Sequence, residues 1–496
     1  MKPSKQPPES IQSAGNQRPG RLALFWRQAF IIDPRSLTLF RWLIGACLLW
    51  DVILRMSDPA QVDGLHGLIP HRFLRELSQE WSWSFHLASQ SMLYPWFLAI
   101  LLILSAIGII IGWRVRGCLL AAWLITLSLH NATWPLLNGG DTLMRMLLFW
   151  GMFLPWFQKT AQGGSGINRL APSMGTLAIM LQMVLVYVCS AVLKSNEDWL
   201  SGRALEGCLS NDLYATPIGK ALVNWPGCLK ILTWATLGLE WVAPLILLFG
   251  QRRPTLRLTA VIALVAMHLI IMLTMHVGLF SLVSIAGLSL FLPTRCWDRY
   301  APFMRTPIQV DSRAVTHAPV DQSWAARGRA WICLLALIWI SLVNLHGLPG
   351  KPLPWLGHAS LECLRTGLGL WQRWGMFETI PKLNGWYVAK LTLENGQELD
   401  LLDKAEGLSW QRPKNPSGMF PNHRWRKIFR EMAHEDAQGY HYFRDPICRH
   451  LLHQWQQANP SGPGVIALDL FFCSTITSVT GDSTLTRRQS LHQIRP

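Results

Sequence analysis

Charge is scarce in this sequence. Only 15% of its 496 residues are Asp, Glu, Lys or Arg, against 50% hydrophobic residues and a mean hydropathy of +0.22. That balance points to a polytopic membrane protein rather than a water-soluble one. The ten cysteines include no CxxC pair and no Cys/His spacing suited to zinc. Cys47, Cys118, Cys189 and Cys333 fall inside apolar runs and read as small buried thiols. Cys208 and Cys228 bracket a loop where a disulfide is left open, because spacing does not fix connectivity. No P-loop, HExxH, GxGxxG or Ser/His/Asp arrangement stands in a credible context, which removes most familiar soluble chemistries. No cleavable signal peptide is visible either. Residues 1–20 are polar and Pro-rich and read as a disordered leader, so the first apolar run is expected to stay as a signal anchor.

Basic residues outnumber acidic ones, 45 to 29, yet the arginines sit largely in short connections between apolar runs. This is the positive-inside pattern of a membrane protein, not a phosphate-binding stripe, so no nucleic-acid partner is expected. Arg21 to Ile32 reads as a short interfacial helix on the cytosolic leaflet. Apolar runs follow at 36–56, 94–113, 117–135, 142–158, 174–194, 228–249 and 256–276, with shorter ones at 278–292 and 329–345. The expected fold is an all-α polytopic bundle of about nine transmembrane helices with a small C-terminal α+β extramembrane domain. Trp50, Trp96, Trp113, Trp134, Trp150 and Trp156 lie near span ends, as in an interfacial aromatic belt. Arg114 and Arg116, Lys159 and Arg169, Arg252, Arg253 and Arg257, and the arginines of 295–329 mark alternate connections as cytosolic. The expected protein is therefore integral to a membrane, with a cytosolic N-terminus and the C-terminal domain on the periplasmic or lumenal side.

The transmembrane part is expected over 21–345 and the extramembrane domain over 346–477. That domain contains a hairpin about Asn395-Gly396, helices near 422–432 and 445–457, and a strand at VIALDLFFCSTI. Residues 478–496 read as a disordered basic tail.

The stretch VYVCSAVLKSNEDWLSG, Val186 to Gly202, is the most informative. An apolar span runs into Lys194, and an acidic turn bearing Asp198 and Trp199 follows. Burial disfavours the ammonium form, which makes such a lysine a candidate base. The plain alternative is an interfacial lysine with its head in water. Other ionisable residues inside spans are Asp51, Arg145, Glu240, His268 and His276, each a candidate for function or for bracing helices. His268 and Glu240 lie on consecutive helices at depths where they can meet, and with Lys194, Asp198 and Trp199 they suggest a polar pocket near the outer leaflet. In NGGDTLMRMLLFW, Asp141 is placed to cap a helix, and Gly139 and Gly140 permit close approach of a ligand.

At these residues the chain resembles the vitamin K-dependent gamma-carboxylase family, the horizontally transferred transmembrane (HTTM) domain group. The likeness rests on an ordered set of segments: DPRSLTLFRWLIGACLLWDVILR, GLIPHR, NGGDTLMRMLLFWGMFLP, LKSNEDWLSGRAL, MHLIIMLTMHVGLFSLVSIAGLSLF, WGMF and NHRWRK. In the animal carboxylase a lysine just before an acidic x-DW-x-x-G turn deprotonates reduced vitamin K. Oxygen then adds to give a stronger base and the quinone epoxide, and the base abstracts the γ-proton of a peptide glutamate, whose carbanion captures carbon dioxide. Lys194 occupies the matching position. A phenolic proton has a pKa near 10, so a desolvated neutral amine is a matched acceptor. Where the animal enzyme has an Asn-Asn-His run, this chain has Gly139, Gly140 and Asp141.

The resemblance implies a quinol-dependent oxygenase and gamma-glutamyl carboxylase, a lyase with an epoxidation half-reaction. Reduced vitamin K or another membrane quinol would be the cofactor, O2 and CO2 the co-substrates, and an exported polypeptide the acceptor. Asp141, Asp198, Trp199, Glu240 and His268 would line or orient the pocket around Lys194. The alternative is a non-enzymatic membrane scaffold or maturation factor for a secreted peptide, which keeps the fold without the reaction.

Overall fold

The computed structural model describes residues 30–61, 67–77, 81–89, 91, 93–156, 173–301, 323–350, 353–380, 384–403, 407–433, 440–477 and 484–495. The leader and most of the expected interfacial helix lie outside the described residues.

The bundle comprises α1 (Pro34–Met56), α2 (Leu93–Ile111), α3 (Val115–Ala132), α4 (Gly139–Gly151), α5 (Met174–Lys194), α6 (Pro226–Phe249), α7 (Pro254–Thr274), α8 (Phe280–Leu288) and α9 (Trp324–His346). All but α4 and α8 are long and apolar enough to cross a membrane, which makes seven such helices among the described residues. Apolar side chains such as Ile231, Leu245, Ile262, Leu273, Leu335 and Ile338 lie exposed on α6, α7 and α9, as they would against lipid. Local chemistry fixes the ends. Asp33 accepts the Arg35 backbone N–H at 2.9 Å, and Pro34 sits in the first turn, where its missing N–H is not needed.

The expected count of about nine is not reached among the described residues. The run at 142–158 forms only α4, 13 residues and nearly all buried. At about 1.5 Å per residue it spans about 20 Å, short of an apolar layer of about 30 Å. Its apolar side chains face protein on every side, which a hydropathy pattern cannot distinguish from facing lipid. The run at 278–292 forms Phe280–Phe291, which passes as a span only together with Thr294–Tyr300, turned by 96° across Pro293.

Between α9 and the C-terminal domain, residues 368–377 run back into the bundle without regular structure. Leu370, Gln372 and Trp374 are buried there. Irregular backbone at this depth needs polar partners from protein. Arg145 of α4 supplies them, donating to the Gly369 carbonyl at 2.8 Å and the Trp371 carbonyl at 3.4 Å. Gln182 of α5 donates to Gln372 at 2.7 Å and accepts from Trp150. Gly369 has φ +61°, and a Cβ there would meet Leu127 at 2.5 Å and Arg145 at 3.0 Å, so both conformation and space require glycine.

The C-terminal domain carries β1 (Gly385–Leu393), β2 (Glu398–Asp400), α10 (His423–Ala433), α11 (Arg444–Ala458), β3 (Val465–Thr477) and β4 (Thr484–Ile494). The strands form an antiparallel sheet in the order β2-β1-β3-β4, with Tyr387 opposite Phe472 and Lys390 opposite Asp400. Alternation sorts β1: Tyr387, Ala389 and Leu391 face Trp425, Ile428, Phe429 and Ile447 of the helices, while Trp386 and Val388 face Trp410 on the other side. The expected disordered tail is corrected. Its residues 484–494 pair with β3, burying Leu491 and Ile494, and Arg488 stacks on the Trp410 ring at 4.1 Å. Pairing covers what would otherwise be an open edge of β3.

Candidate functional site

Helix α5 carries Tyr187, Ser190 and Lys194 on one face, three, four and seven residues apart. Opposite them stand Glu240 of α6 and His268 of α7. Lys194 Nζ donates to Glu240 Oε1 at 2.6 Å, and the two residues are only 7% and 4% exposed. The ammonium also lies 4.8 Å from the centre of the Trp199 ring. Tyr187 Oη and His268 Nε2 share a hydrogen bond of 2.9 Å. Glu240 Oε2 and His268 Nδ1 are buried without a hydrogen-bond partner among the described residues. His268 and Glu240 therefore line one cavity, but each is tied to α5.

The cavity has a volume of about 520 Å³. Its floor holds Lys194, Glu240, Tyr187 and His268, and its apolar wall includes Val186, Met267, Ile271 and Phe280. Arg373, Met376 and Phe377 of the re-entrant segment form one side. The roof is α10, whose His423, Arg426, Lys427 and Arg430 all reach it. Burial shifts three of these residues: it pushes His423 down to about 3 and Arg426 down to about 10, and it also lowers Lys427.

Asp198 and Trp199 are absent from the cavity lining and clamp the re-entrant segment instead. Trp199 Nε1 donates to the Phe377 carbonyl at 2.8 Å, and Asp198 Oδ2 accepts the Ile380 backbone N–H at 3.0 Å. Asn196 Nδ2 adds a bond of 2.6 Å to the Glu378 carbonyl. The turn after Lys194 thus grips the chain that walls the cavity, and Phe377 adopts φ 55° within that grip.

Asp141 is corrected as a pocket residue. It completes a capping box with Asn138 at the start of α4 and belongs to a buried charge cluster. Arg424 Nη2 donates to Asp51 Oδ1 at 2.6 Å and to Asp141 Oδ1 at 2.9 Å. Arg55 binds the same two carboxylates, each at 2.9 Å. The cluster bolts α10 to α1 and α4. Of the two glycines, Gly139 lines the cavity and Gly140 does not. A Cβ on Gly139 would strike Met376 Sδ at 2.3 Å, and one on Gly140 the Phe280 backbone nitrogen at 2.6 Å, so both admit protein. Cys208 is buried and Cys228 exposed, and the two are not bridged.

The sequence profile of the HTTM domain matches residues 31–297, more than half of the chain. The chain belongs to the HTTM domain family. No solved structure matches it. This HTTM protein is an integral membrane protein of the gamma-carboxylase-like group. Lys194, Glu240 and His268 fall inside the matched region, whereas the re-entrant segment and α10 lie beyond it. Those two elements supply cavity residues that sequence reading missed. The signal for α10 was present: positions 423, 426, 427 and 430 follow helical spacing and share one face. Tyr187 had only its place seven residues before Lys194.

Proposed function

We propose that this HTTM protein is a membrane enzyme that binds a reduced quinol at the Lys194 end of the cavity and acts as a quinol-dependent oxygenase and carboxylase on glutamates of an exported polypeptide. The observation that carries this reading is the buried Lys194–Glu240 pair in the floor of a cavity with an apolar wall. A volume of about 520 Å³ lies within the range of small-molecule sites. The two orphaned atoms, Glu240 Oε2 and His268 Nδ1, fit a ligand with hydroxyl groups on an apolar ring.

A bound quinol, with O2 and CO2 as co-substrates, would supply the phenolic hydroxyls and the reducing equivalents. The chain's own residues then have distinct tasks. Glu240 Oε2 accepts a hydrogen bond from an entering hydroxyl, and Lys194 holds the other carboxylate oxygen. At 2.6 Å the pair's proton can rest on either partner; with it on Glu240, the free amine of Lys194 takes the phenolic proton and becomes the ammonium that balances the negative charge left on the ring oxygen. His268, fixed by Tyr187, offers an imidazole edge where Asp141, turned into the charge cluster, does not. The roof and the re-entrant segment keep water from the pair. Arg114, Arg116, Arg252, Arg253 and Arg257 lie at the helix ends away from the extramembrane domain, which supports an orientation with that domain periplasmic.

The test is epoxide formation from reduced vitamin K by purified protein in nanodiscs, wild type beside Lys194→Ala. Epoxide from the wild type alone supports the reading. None from either protein, across a panel of quinols and with both proteins folded, would sink it and leave a scaffold for peptide maturation.

A further inference from the structure

The roof of the cavity has an electrostatic imbalance that proton chemistry at Lys194 does not use. Arg430 pairs with Glu431, and Arg373 pairs with Glu378 at 2.8 Å. Lys194 is satisfied by Glu240. Lys427 has no ion pair or hydrogen bond among the described residues. Arg426 has no ion pair there either: one terminal nitrogen donates to the Ser417 carbonyl at 3.2 Å, and its Nε is buried without a partner. The acids whose field reaches Lys427 are already engaged, Glu431 with Arg430, and Asp141 with Arg55 and Arg424. Arg426 and Lys427 are thus two adjacent, half-buried cations with no ion-pair partner among the described residues. Desolvation works against both, as their lowered pKa values reflect.

We infer that Arg426 and Lys427 form an anion subsite that holds the phosphate of an anionic phospholipid, with the lipid's apolar part against Val186, Met267, Ile271 and Phe280. Charge complementarity favours phosphate. Two neighbouring cations, one of them a planar guanidinium, match several charged oxygens better than a single carboxylate needs. Position favours a lipid source. The roof lies where the extramembrane domain meets the bundle, the level of headgroups, and the wall below it is apolar. The subsite is separate from the Lys194–Glu240 floor and does not rest on the quinol reading.

The full-length protein, exchanged into nanodiscs of phosphatidylcholine containing a minority of phosphatidylglycerol, is delipidated stepwise, and retained lipid is counted by native mass spectrometry. The wild type is expected to keep one phosphatidylglycerol. An Arg426→Gln/Lys427→Gln double variant is expected to keep at least about tenfold less, the loss of two charge-assisted contacts. An Arg426→Lys/Lys427→Arg variant preserves charge and should retain the lipid, which separates loss of binding from misfolding. Displacement of the lipid by millimolar inorganic phosphate would assign the same phosphate chemistry to a free anion. Equal retention by wild type and double variant overturns the inference, as does displacement by a glutamate-rich peptide but not by phosphate. Epoxide formation is scored separately, so failure here leaves the Lys194 reading standing.

Discussion

Lys194 Nζ and Glu240 Oε1 stand 2.6 Å apart, on helices joined by more than thirty residues of intervening chain, and both are buried. The pair fixes the depth at which α6 meets α5 and places a carboxylate oxygen, Glu240 Oε2, at the floor of the cavity. A lone lysine there would be an uncompensated charge. Beside Glu240 it becomes half of a unit that can gain or lose a proton without leaving a bare ion.

Removing one member should therefore hurt more than removing both. Lys194→Met or Glu240→Leu alone is expected to lower stability by roughly 3–5 kcal/mol, because each strands a buried charge, while the double variant loses less than either. Denaturation in nanodiscs, read as a double-mutant cycle, measures the difference. Additive losses would show that the two side chains are not coupled.

Arg424 carries a different load. One of its terminal nitrogens bridges Asp51 and Asp141, so Arg424→Ala leaves part of a buried acidic pair uncovered. A loss of roughly 3–5 kcal/mol is expected, with the C-terminal domain loosened from the bundle. Limited proteolysis should cut the segment before β1 faster in the variant. An unchanged cleavage rate would mean that apolar packing alone holds the domain down.

Gly140→Ala tests the packing of α4 against α8. The added methyl would lie 2.6 Å from the Phe280 backbone nitrogen, and backbone cannot rotate away as a side chain can. A loss of about 1–3 kcal/mol is expected, seen as a lower thermal midpoint. A midpoint equal to wild type would show that α8 shifts freely.

The imidazole of His423 is held neutral by burial, with Arg424 and Arg426 adding to the effect against the opposing pull of Asp141 and Asp51, and its pKa falls to about 3. The unfolded chain takes up this proton near pH 6.5, so it binds more protons than the native state between about pH 6.5 and 3. Stability from this group is full above 6.5 and declines as pH falls through that window, by up to about 1.4 kcal/mol per pH unit. In His423→Gln the acid-side slope should flatten by that amount. An identical slope in both proteins would refute the assignment.

Much of the bundle was legible because membrane crossing depends on length and apolarity, both local properties. The runs that became α1, α2, α5, α6, α7 and α9 could be read directly. Asn395-Gly396 announced its hairpin for a similar reason, since Gly396 sits at φ +84°. The run at 142–158 misled because its apolar side chains meet protein instead of lipid. The tail misled because TLTRRQSLHQI has little strand character alone, and its pairing with β3 is a long-range event.

The site divides along the same line. Lys194, Glu240 and His268 stood out as ionisable residues in apolar sequence, since a charge in a membrane needs a reason wherever it occurs. Their partners did not. His268 bonds Tyr187, Glu240 bonds Lys194, and Asp141 turns toward Arg55 and Arg424. Sequence by itself determined that this chain enters a membrane, which residues there are costly, and that a basic helix follows. Tertiary structure decided which charges neutralise one another and which are left over, because Coulomb energy and desolvation depend on distances between elements far apart in the chain.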